Sequence, residues 1–238
     1  MKKITFLFLL LAIYVGSFES KAQLIQDAQK VIGQNSGGLS EKDAADGIKE
    51  ALVNGTSKGV NIVSKTDGYF GNPKIKIPFP PDAKDMESKL REIGLGDKVD
   101  EVVLSINRAA EDAAKDAEPI FVSAIKDMSI TDAVGIVKGD DDAATKYLKR
   151  TTSGQLKIKF QPKIKASLDK VNATKQWEAL IIEYNKIPFV KKKNPNLSEY
   201  VTGKAIDGLF VMIAQEEKNI RKDPMARTSD LLKKVFGN

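Results

Sequence analysis

The stretch LKIKFQPKIKASLDKV, residues 156–171, decides the fold class. Its opening alternates: Leu156, Ile158 and Phe160 are apolar and Lys157 and Lys159 are charged, which is the period of a half-buried strand. A longer window reads differently. Leu156, Phe160, Ile164, Leu168 and Val171 step by four, four, four and three, the period of one face of a helix. The longer pattern prevails and the segment is read as helical, with Pro162 as a kink or a restart.

The same period extends on both sides. Trp177, Leu180, Ile181 and Tyr184 continue the stripe, and Pro188 and Pro195 bound a Lys-rich loop. Asn196 starts a helix expected to run to about Lys222. Asp223-Pro224 ends it, because the residue before proline is pushed out of the helical region. Thr228 or Ser229 then caps a short last helix. Upstream, Asp140-Asp141-Asp142 precedes a helix from Ala143, where carboxylates suit the positive end of the helix dipole. Their spacing does not fit a twelve-residue calcium loop, so they are read as capping groups. Ser129 to Asp132 resembles a cap before a short helix, Ala133 to Val137, that Gly139 stops. A long helix is expected from Asp97 to about Glu118, carrying Val99, Val103, Ile106 and Ala110 on one face, and Pro119 restarts it. Asp82 is expected to cap a helix running to about Ile93.

Ser40-Glu41-Lys42-Asp43 resembles a capping box, followed by Ile48, Leu52, Val60 and Val63 near helical spacing. Gly55 and Gly59 lie on that helix and point to close contact with a second helix. Between Gly71 and Pro81 the chain holds Pro73, Pro78, Pro80 and Pro81, with Ile75, Ile77 and Phe79 alternating with Lys76 and Pro78. Prolines exclude a central strand, so this reads as an ordered extended loop that pins three apolar side chains onto the helices. The expected fold is all-α: a multi-helical single-domain bundle with one ordered proline-rich loop.

Composition narrows the chemistry. The 238 residues include 38 Lys+Arg and 32 Asp+Glu, for a net charge of +6, and no Cys or His. Disulfides, thiolate nucleophiles and zinc–thiolate sites are therefore closed to the chain, as are His general bases and His ligands. No metal and no cofactor is expected.

The first residues carry a targeting pattern. Lys2 and Lys3 precede an apolar run from Ile4 to Val15, and Ser20-Lys21-Ala22 places small residues before Gln23. That is the plan of a secretory signal peptide, and the run is shorter than the ~20 residues a spanning helix needs. Residues 1–22 are expected to be removed on export, leaving 23–238 as one helical domain without a transmembrane segment, periplasmic or secreted.

Charge is unevenly spread: residues 23–142 sum to −7 and residues 143–193 to +10. The basic segment either packs beside the acidic half or meets an anionic surface. Export argues against nucleic acid.

Two polar constellations stand out. In Asn107-Arg108-Ala109-Ala110-Glu111, Arg108 and Glu111 are three apart and can pair on one helical face. Glu217 and Arg221 are four apart in the favourable order, with Asp223 and Arg227 close behind. If the two helices face each other, the pairs can join in one network. As a ligand site, Asn107, Arg108, Glu111, Glu217, Arg221, Asp223 and Arg227 would hold an anionic ligand or a cell-envelope component, the arginines gripping its charge. As catalysts, Glu111 and Glu217 would be the acid and base of a hydrolase of an envelope polymer. No nucleophile elbow or phosphate loop accompanies them.

Several of these segments together resemble a bacterial family. They include Asp67-Gly68-Tyr69, Ile75-Lys76-Ile77-Pro78, Asn107 to Glu111, Gly208-Leu209-Phe210, Ala214 to Glu217, Ile220 to Pro224 and Arg227 to Leu232. The family is domain of unknown function 4197, and the resemblance runs from about Leu39 to Gly237. It implies a helical exported protein and carries over no activity, cofactor or catalytic residue. The expected function is a non-catalytic binding or interaction role, with the hydrolase and an anionic-surface binder using residues 143–193 as alternatives.

Overall fold

A computed structural model describes residues 41–193 and 196–222. They form an all-α bundle with no strand among them. The helices are α1 (Glu41–Val63), α2 (Lys84–Glu92), α3 (Gly96–Ala114), α4 (Glu118–Lys126), α5 (Ile130–Lys138), α6 (Ala143–Lys170), α7 (Ala173–Lys186) and α8 (Leu197–Lys222). α8 is central and packs on α1 and α6; α3 packs on α6 and α7, and α4 and α5 close over α1.

The segment read two ways is one uninterrupted helix. Leu156, Phe160, Ile164 and Leu168 are buried and Ile158 is exposed, which the helical period demands and strand alternation would not. Pro162 neither breaks nor restarts α6; it lies inside it on the exposed side. There the Ile158 carbonyl, which loses its helical partner to proline's missing N–H, can turn to water.

Some termini follow the local sequence. Ser129 and Asp132 form a reciprocal capping box at α5, and Asn196 Oδ1 accepts the Glu199 N–H at the start of α8. Gly94, at φ 83°, makes the left-handed turn between α2 and α3. Others differ. α3 starts at Gly96 and stops at Ala114, and a 3-10 turn over Lys115–Ala117 leads into α4, where Pro119 sits in the first turn. Asp82 does not cap α2; it lies in a 3-10 turn, Pro81–Ala83, whose fixed proline geometry starts the helix without a side-chain cap. The expected cap at Ser40 and the last short helix at Thr228 or Ser229 lie outside the described residues, as do residues 1–22.

The proline-rich loop is ordered as expected. Ile75, Ile77 and Phe79 are buried, and Phe79 packs against Trp177 with ring centroids 5.0 Å apart. Close helix contact holds at Gly55, where a Cβ would stand 3.2 Å from Ile220 Cδ1; at Gly59 a Cβ would meet Ile213 at an ordinary 3.7 Å. A tighter approach between α8 and the turn after α1 lies elsewhere. A Cβ on Gly208 would lie 2.6 Å from the buried Tyr69 ring, so α8 needs glycine there for the ring to seat.

Candidate functional site

α3 presents Asn107, Arg108 and Glu111 toward the segment that follows α1. Asn107 is fully buried. Its Oδ1 accepts the Ile77 N–H at 2.8 Å, and its Nδ2 donates to the Ile77 carbonyl at 2.8 Å and to the Val103 carbonyl at 2.7 Å. One side chain thus does for the extended loop what a neighbouring strand would do, satisfying both backbone groups of a buried residue.

Glu111, 4% exposed, performs a similar task one turn later. Its Oε1 accepts the N–H groups of Tyr69 and Phe70, each at 3.1 Å, and its Oε2 accepts Arg108 Nη1 at 2.7 Å. Arg108 Nη2 reaches Asp67 at 2.8 Å. The predicted Arg108–Glu111 pair therefore exists, and it closes the turn in which Asp67 holds φ 67°. The hydrogen bond to Glu111, with Asp67 behind it, raises the Arg108 pKa further above its usual range. Lys76 Nζ stands 4.1 Å from the Phe70 ring centroid and the Arg108 guanidinium 5.7 Å from it.

Tyr69 links this turn to α8, donating its hydroxyl to the Ala205 carbonyl at 2.6 Å. Burial first, and the nearby Glu111 charge second, push its pKa far above the usual 10. The unfolded chain therefore releases this proton first. The linked stability is complete below about pH 10 and is lost as pH climbs above it. Tyr69→Phe should flatten that alkaline decline in melting temperature measured against pH, while costing about 0.5–1.5 kcal/mol at neutrality. Tyr200, pushed up to about 12 by burial, keeps part of the decline in the variant.

The second predicted pair is also formed. Glu217, 5% exposed, accepts Arg221 Nε at 3.1 Å and Nη2 at 2.8 Å. Arg221 Nη2 also donates to the Ile136 carbonyl at the end of α5, at 2.8 Å. The main partner of Glu217 was not foreseen: it accepts the N–H groups of Ala144 and Thr145, at 2.9 and 2.8 Å, and the Thr145 hydroxyl at 2.7 Å. A carboxylate of α8 thus caps α6. The Asp140–Asp142 run is corrected accordingly. Asp142 holds the N-cap position without a side-chain cap bond, and it pairs with Lys146 at 2.9 Å, while Asp141 pairs with Lys222 at 2.7 Å.

The two pairs do not join in one network. Glu111 closes on the turn after α1, and Glu217 on the junction of α5 and α6. Glu216, missed in the sequence, is 5% exposed and bonds Lys58 of α1 at 2.7 Å. Adjacent helical residues point about 100° apart, so the Glu216-Glu217 doublet was a readable sign of two different neighbours. Asp223 and Arg227 lie outside the described residues.

A groove of about 410 Å³ runs between the proline-rich loop and α8, with Lys74, Lys76, Lys204 and Asp207 on its walls. A narrow apolar crevice with room for little more than a water molecule is lined by Ile48, Leu52, Ile136 and Ile220 together with Glu217 and Arg221. Among the described residues no three carboxylates are grouped to hold a metal ion, and no helix is long and apolar enough to cross a membrane.

No curated protein and no solved structure matches the chain. The residues that close the Asp67 turn, pin Ile77 and cap α6 all fall within residues 38–237, the span matched by the family described as "Protein of unknown function (DUF4197)", and the chain belongs to that family.

Proposed function

We propose that the chain is exported through residues 1–22 and that residues 23–238 form one helical domain with a binding or interaction role and no turnover, in the periplasm or outside the cell. The basic start, apolar run and small residues before Gln23 support export. The observation that carries the non-catalytic reading is the state of the buried acids. Acid–base hydrolysis needs two carboxylates facing one accessible site. Glu111, Glu216 and Glu217 are each closed on donors from other parts of the chain. Asn107 is spent on Ile77 and Val103. Within the expected site, an anionic ligand would meet Arg108 first, since its side chain stays 30% exposed while that of Arg221 is 10% exposed.

Stability measurements separate the two roles. Removing a catalytic acid commonly leaves stability unchanged or raised, because active sites trade stability for activity. Removing a structural acid lowers it. Glu111→Gln should therefore cost about 1–3 kcal/mol, for one charged hydrogen bond weakened at Arg108. That corresponds to roughly 3–10 °C in melting temperature for a chain of this size. Turnover of an envelope polymer by the purified chain, abolished by Glu111→Gln with melting temperature held or raised, would overturn the reading.

A further inference from the structure

The loop between α7 and α8 is built to hold one aromatic ring in solvent. Asn185 staples its base: its Oδ1 accepts the Lys193 N–H at 3.1 Å and its Nδ2 donates to the Lys193 carbonyl at 3.3 Å. The Lys193 ammonium is anchored in turn, 2.9 Å from Asp85 and 2.8 Å from the Asp82 carbonyl. Ile187 and Val190 pack inward against the core. Phe189 does the opposite. Its exposure is 107%, so nothing shields it, and its φ of 63° is left-handed. A bulky L-residue enters that region only at a cost in free energy. The stapled base and the two inward neighbours hold it there, and such strain marks a position with a task.

Charge says what the ring faces. Lys191 and Lys192 follow directly, are exposed, and make no ion pair among the described residues, unlike Lys193. They close the segment 143–193 with its charge of +10. A ring projecting from a tip, with unpaired cations beside it, does not suit a protein partner, which would have to offer a pocket. It suits a bilayer interface, where an aromatic ring sits at headgroup depth and lysines gain from acidic lipids.

We propose that loop 187–193 docks on an anionic lipid surface, with Phe189 entering the interfacial layer and Lys191 and Lys192 lying among the acidic headgroups. This names a partner for the binding role proposed above. It is tested by membrane contact and not by turnover, so either can fail alone.

The test uses the full chain carrying Phe189→Trp. The single native tryptophan, Trp177, is 3% exposed and gives a constant background. Vesicles of phosphatidylcholine, with and without phosphatidylglycerol, include a share of brominated lipid. The introduced indole should shift to the blue and be quenched on phosphatidylglycerol vesicles, and do neither on phosphatidylcholine alone. Salt should weaken the effect. Lys191→Gln/Lys192→Gln should reduce partitioning about 25-fold, at about fivefold per lysine, and Phe189→Ser at least about tenfold. The apolar run 4–15 is common to every variant, so only differences between variants and the signal at position 189 are read. An unquenched indole on phosphatidylglycerol vesicles overturns the proposal. So does equal quenching on neutral vesicles, or equal partitioning by wild type and the double lysine variant. Binding to polyglutamate that leaves vesicle quenching absent would assign the loop to an acidic protein instead.

Discussion

Glu217→Ala is expected to cost the fold about 3–5 kcal/mol, the range for removing one member of a buried, hydrogen-bonded charge group. For a chain of this length the melting temperature should fall by roughly 6–20 °C. The side chain receives the Ala144 and Thr145 N–H groups, the Thr145 hydroxyl and two Arg221 donors, all at 2.7–3.1 Å. Alanine supplies no acceptor. Two buried N–H groups at the positive end of α6 then lose their partner, and a negative charge leaves the end of a helix that favours one. Urea denaturation measures the total, and amide exchange at residues 144 and 145 localises it. Glu217→Gln should fall between, since an amide oxygen still accepts but carries no charge. A loss below about 1 kcal/mol for Glu217→Ala, within the range of an ordinary cap, would mean that the carboxylate does not hold the bundle together.

The second large effect is expected from a change of one atom. Asn107→Asp keeps the shape of the side chain and replaces its NH₂ group by an oxygen. That group now donates to the Ile77 and Val103 carbonyls, at 2.8 and 2.7 Å. In the variant an anionic oxygen would face two carbonyl oxygens in a site closed to water. The carboxyl must then stay protonated, or the loop must detach. Both outcomes cost several kcal/mol at neutral pH, about 3 or more for a buried charge without a partner. The pH dependence has a definite sign. The folded state holds the proton more tightly than the unfolded one, so below about pH 4 only the cost of one lost donor remains, and the penalty grows as pH rises. Stability curves of wild type and variant that stay parallel from pH 3 to pH 8 would refute this account. Asn107→Ala, which introduces no charge, should be destabilised without that pH dependence.

Both residues show what a sequence can and cannot disclose. The Arg108–Glu111 and Glu217–Arg221 pairs were legible because spacings of three and four on a helix put side chains together whatever the tertiary fold. Their more important partners were not. Glu217 lies 72 residues from Thr145 and Glu111 42 from Tyr69, and only the packing of the helices brings them together. The same limit explains the misread aspartates. Asp140 to Asp142 stand where a local cap belongs, and a distant carboxylate occupies the place. Helical period was decisive for Leu156 to Leu168, because nearly four turns of evidence outweighed a local alternation. The buried faces of Ile75, Ile77 and Phe79 were readable from alternation between prolines. Among glycines, Gly55 and Gly59 drew notice because they lie four apart. Gly208 makes the closer contact with nothing in its own neighbourhood to announce it.

The place of α8 has a consequence for how the molecule is made. It supplies the cap of α6, the bond to Lys58 of α1 and the seat of the Tyr69 ring, and it comes after all of them in the chain. A nascent polypeptide leaving the ribosome can form its early helices and the closures made by Asn107 and Glu111 in passing, but the three anchors that α8 supplies arrive only when α8 itself emerges. Capping of α6, the hold on α1 and the seating of the Tyr69 ring therefore wait for α8, and helices made earlier stay short of their full set of partners until it docks.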